Sequence, residues 1–422
     1  MALTKILSGL IRKLAPDQRG NVALIAAAAF PLLIGAAGLA VDGVQWVLQK
    51  RQIQAAADSA ATAGVYSLIA EQDMQNAVSN TLARNGAVPA NASIQAEQSP
   101  AGHESDPFAV TVHLAVPAHM TFSGMFMKTA PVIAAEATAT VVKNGEYCAF
   151  ALGDIDDSGV VIRPNSSVEM ECGVASNAAG RAAVQADQSS SLKSSAIVAY
   201  GAIDGKAAIH DSIVRPHSLA QTDPLEGTEP PLVPNTGCPN VTINPDNGGE
   251  TMLDPGCYAN MTLNGNVRLQ NGEYILNKGN FVVGPQGHVS CDACTIFLTS
   301  DTAATDPGTI GKVLMSSDGT VKMNATREGP NAGILFYQDR HAARDLPGGE
   351  NRVGGSGFSS LKGILYFPSE TLYLDGNMSP DFQCARLLAK RLVFAGRVYI
   401  SKNCGGPGGK TTFEGTEVRL IS

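Results

Sequence analysis

Residues 19–70 read RGNVALIAAAAFPLLIGAAGLAVDGVQWVLQKRQIQAAADSAATAGVYSLIA. The first half, Val22 to Val41, carries no charge and is rich in Ala, Leu, Ile and Val. These twenty residues, at a helical rise of about 1.5 Å each, cover about 30 Å, the thickness of a bilayer's hydrocarbon core. Pro31, Gly35 and Gly38 would weaken a helix in water but are tolerated in a membrane helix. Lys5, Arg12, Lys13 and Arg19 precede the apolar run with only Asp17 opposing them, and the next basic residues after it are Lys50 and Arg51. The positive-inside rule then puts the N-terminus in the cytoplasm and the remaining chain, about 380 residues, on the far side. Trp46, the only Trp, falls one turn past the run, where interfacial anchors sit. A cleaved secretory signal has an apolar core of only about 7–15 residues. A retained anchor is therefore expected, although Ala37 and Ala40 are small enough for a signal peptidase to read.

The helical pattern continues past Asp42 to about Arg84. Ile53, Ala56, Ala57, Ala60, Ala61, Gly64, Val65 and Leu68 recur near the 3.6 period, and Asn85-Gly86 supplies a stop. This face is flat and mostly Ala. It suits close packing against either the chain's own domain or a partner helix. Ala57, Ala61 and Val65 are the candidate residues for an assembly contact. From Ala92 to Lys143 the period becomes 2: Phe108, Val110, Val112, Leu114 and Val116 alternate with smaller or polar residues, and Pro131 to Val142 is a second strand candidate. A long helix followed by a few antiparallel strands is a pilin-like layout.

From Tyr147 onward, short apolar runs are bounded almost everywhere by Gly, Asn or Asp. Gly159-Val160-Val161-Ile162, Met261-Thr262-Leu263, Phe281-Val282-Val283 and Gly333-Ile334-Leu335-Phe336-Tyr337 are typical. Three- or four-residue strands with turns this frequent fit a solenoid, in which each rung stacks its apolar positions on the next. The expected fold is a right-handed parallel β-helix, with a β-sandwich as the alternative. Arg215 to Gly237 contains five prolines and reads as an extended crossing segment or linker. The expected organisation is a basic cytoplasmic segment 1–21, a transmembrane helix 22–41, a helix-plus-strand module 42–145, a first solenoid part 146–214, the Pro-rich linker 215–237 and a second solenoid part 238–422.

Eight cysteines, Cys148, Cys172, Cys238, Cys257, Cys291, Cys294, Cys384 and Cys404, all lie beyond the apolar run. An even number in an exported region reads as disulfides, though sequence does not fix the connectivity. Cys291-Asp292-Ala293-Cys294 could also be a redox or half-zinc motif. It precedes a strand-like Thr295-Ile296-Phe297-Leu298 and has no second copy, so a local structural bridge is favoured.

The N-terminal stretch resembles the N-terminal domain of the Tad/Flp pilus-assembly proteins of the TadG-like family. The matching residues are Arg19-Gly20-Asn21, Ala40-Val41-Asp42 and the run Gln52-Ile53-Gln54-Ala55-Ala56-Ala57-Asp58-Ser59-Ala60-Ala61. The resemblance covers roughly residues 15–70. It implies a single-pass inner-membrane protein of a bacterial tight-adherence pilus or secretion system, with other Tad components as partners. The remainder looks similar to the Cys-containing, β-helix-like regions that some such proteins carry. Two departures from the family pattern matter. Related minor pilins place a Glu shortly after a processing Gly, whereas Gly20 is followed by Asn21-Val22-Ala23-Leu24-Ile25; pilin-style processing is not expected. The DxSxS metal motif of some relatives is absent from Asp154-Ile155-Asp156-Asp157-Ser158-Gly159, which reads as a solvated turn.

Catalysis has one candidate cluster, Asp339, Arg340, His341, Arg344, Asp345 and Glu350. Glycoside hydrolysis would need two of these carboxylates roughly 5–10 Å apart across one groove, and nothing in the sequence aligns them. Gly287-His288-Val289 matches a pectinase-like motif only in part. Gly405 to Thr411 resembles a phosphate-binding loop, but the position requiring its first Gly is Cys404. His103, His113 and His119 are too loosely spaced for a metal site. The expectation is no enzyme activity, no cofactor, no metal and, at a net charge of -8, no nucleic-acid partner. The expected location is the inner membrane, with the C-terminal region in the periplasm. A glycan or cell-wall surface is a further partner the solenoid could meet, and a polysaccharide-active enzyme or surface adhesin is the rival function.

Overall fold

In the computed structural model, the described residues are 20–86, 88–235, 237–245, 249–343, 350–356, 358–376, 384–402 and 413–421. The chain divides into two units. One holds the residues up to Val142 together with Val418–Ser422, and the other is Lys143–Glu417.

The first unit begins with α1, Gly20–Ile69, a 50-residue helix that includes Pro31. Its continuation to Arg84 is not straight. Glu71 adopts a left-handed φ of 53°, and a second helix, α2, spans Met74–Arg84. The Asp73 carboxylate accepts the Asn76 N–H at 2.6 Å, an N-cap that starts α2 afresh. The reason is burial: folded back, α2 puts Val78 and Leu82 into a core with α1, whereas a straight helix would leave both in water.

Three strands complete that core: β1 Ser93–Gln98, β2 Val110–Pro117 and the first part, up to Val142, of β3 Val132–Ala151. They pair antiparallel, with Ile94 opposite Leu114 and Leu114 opposite Ala135. The alternation expected for β2 holds, since Val110, Val112, Leu114 and Val116 are all buried against Ile53, Ala56, Ala57, Ala60, Ala61 and Val65 of α1. Gly64 is required at this crossing, because a Cβ there would stand 2.8 Å from Val110 Cγ1. The Ala134, Glu136 and Thr138 carbonyls of β3 accept from Lys50 Nζ, Gln54 Nε2 and the Ile421 N–H respectively. An edge that would otherwise invite another strand is thereby closed.

The second unit is mainly parallel β. Its strands pair with strands about one turn of chain away, and three parallel columns result. In one column Val241, Met261, Phe281 and Val313 stand side by side. A second aligns Val267, Val289 and Val321. The third is continuous through Cys257, Ile275, Phe297, Tyr337, Tyr366, Leu388, Phe150, Ala175, Val198 and Arg215. Among the described residues the pairings from Tyr147 to Ile400 are parallel, which removes the antiparallel sandwich alternative. Buried Val, Leu, Ile, Met and Phe from the strands fill one continuous core. Asn side chains tie successive turns together: Asn240 Oδ1 accepts the Asn260 N–H, Asn260 Oδ1 the Asn280 N–H, and Asn280 Oδ1 the Lys312 N–H.

The third column fixes the chain order within this unit. Residues 143–215 and 241–400 do not simply follow one another, because Leu388 pairs with Phe150 and Leu392 with Val160. The later segment therefore stacks beneath the earlier one, and the Pro-rich stretch must return along the side. Its contacts trace that path. His217 N–H bonds to the Gly201 carbonyl, and Gln221 exchanges two hydrogen bonds with the Asn177 side chain at 2.7 and 2.8 Å. Asp223 accepts from the Tyr366 hydroxyl at 2.6 Å, and the Leu225 and Thr228 carbonyls accept from Arg340 and Tyr337. Tyr337, Tyr366, Phe150 and Phe297 are covered on this side, with Leu225 packed against them. The column strands are thus buried on both faces, which is why Ile334–Gln338 shows no polar alternation.

Candidate membrane-proximal site

Among the described residues, one helix is long and apolar enough to cross a membrane, and it is α1. Its first part stands clear of the fold: Val22 is 74% and Leu32 75% exposed, and Phe30, Leu33 and Ile34 are similarly open. The change comes at Asp42, which is fully buried. Its carboxylate accepts three consecutive backbone N–H groups of the loop between β2 and β3, from Thr121 at 3.2 Å, Phe122 at 2.9 Å and Ser123 at 2.6 Å. Burial alone would raise the carboxyl, but Ser123 and the three N–H donors outweigh it and hold it down at about 2. Trp46 Nε1 donates to the His119 carbonyl at 2.9 Å, and Thr121 Oγ1 donates to Gln45 Oε1 at 3.3 Å. Asp42, Gln45 and Trp46 thus lie on one stretch of α1 and fix the loop where the apolar run ends.

The sequence marks Asp42 as the end of the apolar run and Trp46 as an interface anchor. It gives no sign that both hold a loop about 80 residues away, since the partners are backbone groups that any residues would supply. The candidate contact residues Ala57, Ala61 and Val65 are fully buried against α2 and the sheet of the same unit. The face offered to a partner is occupied by the chain's own strands, because a mostly Ala surface with Gly64 at the crossing lets β2 approach closely. The uncovered face of α1 carries Val44, Val47, Leu48, Gln52, Ala55, Ser59 and Tyr66 instead.

An open groove of about 350 Å³ lies over the first unit's sheet, lined by Lys50, Gln95, His113 and Glu136 among others. His113 and Glu136 pair across the strands at 3.3 Å. His103 and His119 do not line this groove.

In the second unit the cysteine pairs Cys148 with Cys172, Cys238 with Cys257 and Cys291 with Cys294 sit at disulfide distance. The Cys291–Cys294 pair lies inside a strand, at a register shift in its pairing with the next turn. Cys384 is disulfide-bonded as well, while Cys404 and the Gly-rich stretch after it lie outside the described residues. Asp339 is buried and held by its surroundings: its carboxylate accepts from Thr299 Oγ1 at 2.7 Å and from the His341 N–H, and lies 2.8 Å from His341 Nδ1. Arg340 is drawn to the Pro-rich segment. Arg344 and Asp345 lie outside the described residues, and Glu350 pairs with Arg352. Glu370, also buried, accepts from Lys312, Gln338 and Asn351. Asp157 of the acidic turn pairs with Arg391 at 3.1 Å. Among the described residues, no three His, Cys, Asp or Glu side chains come together in a way that could hold a metal ion.

The family model described as putative Flp pilus-assembly TadE/G-like matches residues 20–78, which are α1, the break after it and the start of α2. No curated protein and no solved structure matches the chain. The match ends at the residue that α2 folds back into the α1 core, so the unit of resemblance is the long helix with its first tertiary contact. Over residues 20–78 the chain is thus similar to the putative Flp pilus-assembly TadE/G-like family.

Proposed function

We propose that this chain is a membrane-anchored structural or assembly component of a Tad-type pilus or a related secretion system, and that it acts by position rather than by catalysis. One observation carries the reading. The family-matched segment is dominated by one long helix, α1, whose apolar half stands free and whose other half lies in the core of a small α/β unit. Such a helix suits an element that links a bilayer to an assembly.

In this reading residues 22–41 cross the inner membrane, the basic segment 1–21 stays in the cytoplasm and everything after Asp42 lies in the periplasm. The module 42–145 meets other pilus components. The segments 146–214 and 238–422, joined by 215–237, form a disulfide-braced right-handed parallel β-helix. Three parallel columns and the repeated Asn240, Asn260 and Asn280 bonds support that architecture, and parallel crossovers are almost always right-handed. The oxidising periplasm suits the cysteine pairs. No cofactor is assigned, and a glycan or cell-wall surface is a partner class for the outer faces of the β-helix.

Deletion of the gene, followed by electron microscopy of pili and an adherence assay, tests this. Loss of pili, restored equally by the intact chain and by Asp339→Asn, is expected. Normal pili and adherence without the chain would sink the assembly role. Release of reducing sugar or unsaturated product from pectin, alginate or peptidoglycan by the purified chain would make it an enzyme.

A further inference from the structure

The loop between β2 and β3, residues 118–131, exposes an unusual set of side chains for a water-facing turn. Met125 is 82% and Phe126 67% exposed, and Phe122 and Met127 are each about two-fifths exposed. Among residues 118–131 the only formal charge is Lys128. Apolar side chains grouped like this mark a surface that something covers.

The loop's position says what covers it. Its backbone is pinned to Asp42, Gln45 and Trp46, just past the apolar run. From there its rings turn back along α1. A Cβ added at Gly38 would stand 2.8 Å from Phe122 Cβ and Cγ, and one at Gly35 would be 3.8 Å from Phe126 Cζ. Both glycines belong to the apolar run, and a side chain at Gly38 would push Phe122 away. At about 1.5 Å per residue, Gly38 and Gly35 lie about 6 and 10 Å from Asp42 along the axis, toward the middle of the run. That matches the depth to which interfacial apolar elements bury, about 5–10 Å into the boundary between headgroups and acyl chains. Leu32, Leu33, Ile34 and Leu39 of α1, which bracket these levels along the helix, are exposed as well, so helix and loop form one apolar surface.

We propose that residues 122–127 are a second membrane contact, a monotopic loop whose Phe122, Met125, Phe126 and Met127 side chains enter the lipid leaflet beside the transmembrane helix. Lys128 then sits near headgroup level, where a long basic side chain can reach phosphate. The consequence is mechanical. One helix alone can rotate about its axis and tilt in the bilayer, whereas a helix with a laterally attached wedge has a preferred rotation. The first unit would then present a constant face to its neighbours. This inference rests on the reading of residues 22–41 as a membrane span.

The test places a photoreactive benzoylphenylalanine at Leu33, at Met125, at Phe126 or at Tyr66 of the full chain, reconstituted in phosphatidylcholine vesicles. Tyr66 is exposed and lies about 36 Å beyond Asp42 along α1. After irradiation, lipid adducts at Met125 and Phe126 should be comparable in yield to those at Leu33 and about tenfold above those at Tyr66, as expected for side chains below the headgroups. Adducts at Leu33 but not at either loop position would overturn the loop contact while leaving the span intact. Protein adducts at the loop positions would assign the patch to a second copy instead and overturn it equally. Absence of adducts at Leu33 would remove the span, and the loop contact with it.

Discussion

The Asp42 side chain ties the β2–β3 loop to α1. Its two oxygens are divided among three N–H donors, Oδ1 to Thr121 and Oδ2 to Phe122 and Ser123. An Asn at this position would turn its NH₂ group toward at least one of those donors. The carboxyl's ordinary value is 3.8 and its folded value about 2. The folded value is the lower one, so the contribution to stability is complete above the ordinary value and is lost as pH falls through about 2. Trp46, the only Trp, reports on this directly, because its indole N–H is bonded within the same loop at His119. Its emission should be constant from neutral pH down to about 4 and change as the carboxylate protonates below that. Asp42→Asn should show the altered emission already at pH 7. An emission insensitive to both acid and substitution would mean that Asp42 does not hold the loop.

At the scale of elements, the boundary between α1 and α2 is the most instructive. Periodicity alone carries the helix from Asp42 to Arg84, because Ile53 through Leu68 and Val78 through Leu82 can lie on one stripe. What periodicity cannot show is that the second stripe is needed to cover the first. The break was nonetheless written in the chain as Glu71-Gln72-Asp73, polar residues ending in an N-cap type. Replacing Asp73 by Ala removes the acceptor for the Asn76 N–H and should cost about 1 kcal/mol. That corresponds to roughly fivefold faster hydrogen exchange in α2 when the helix opens locally. Asp73→Asn should exchange nearly as slowly as the parent. Unchanged exchange in the Ala variant would show that packing of Val78 and Leu82, not the cap, sets where α2 begins. The parallel strands were legible as strands for a similar reason, since Gly and Asn punctuate them. A 20-residue echo was also present in Asn240-Val241, Asn260-Met261 and Asn280-Phe281, and it foretold which turns would stack. In the first unit β2 follows from alternation in the same way, whereas β1 is exposed at every position but Ala96 and the loop that joins β2 to β3 has no period to read.

The order of the stack belongs to the whole molecule and could not be read from any segment. Short parallel strands are nearly interchangeable in pattern, so nothing local says that Leu388 will pair with Phe150 rather than remain at an end. The arrangement has a consequence for folding. The strand at Tyr147–Ala151 has partners on both sides, Gly173–Ser176 from its own segment and Leu387–Ala389 from a segment made more than 200 residues later. Until the later residues arrive, that strand keeps an unpaired edge, an invitation to association with other chains. Pairings this distant in sequence also close late, because their loop entropy must be met before they stabilise anything. Past Arg215, the described residues of the Pro-rich segment up to Gly237 thread between the two parts and form no strand. A break in it should therefore be tolerated, whereas separation of the two parts should not. Residues 20–237 and 238–422 expressed together as two chains should copurify in detergent with the parallel β content of the intact protein. Residues 20–237 expressed alone should aggregate through the uncovered edge. If that shorter chain were instead monomeric, with an unchanged β signal in circular dichroism, the pairing of 387–394 with 149–162 would add nothing to the fold. The two parts would then be independent domains that happen to meet.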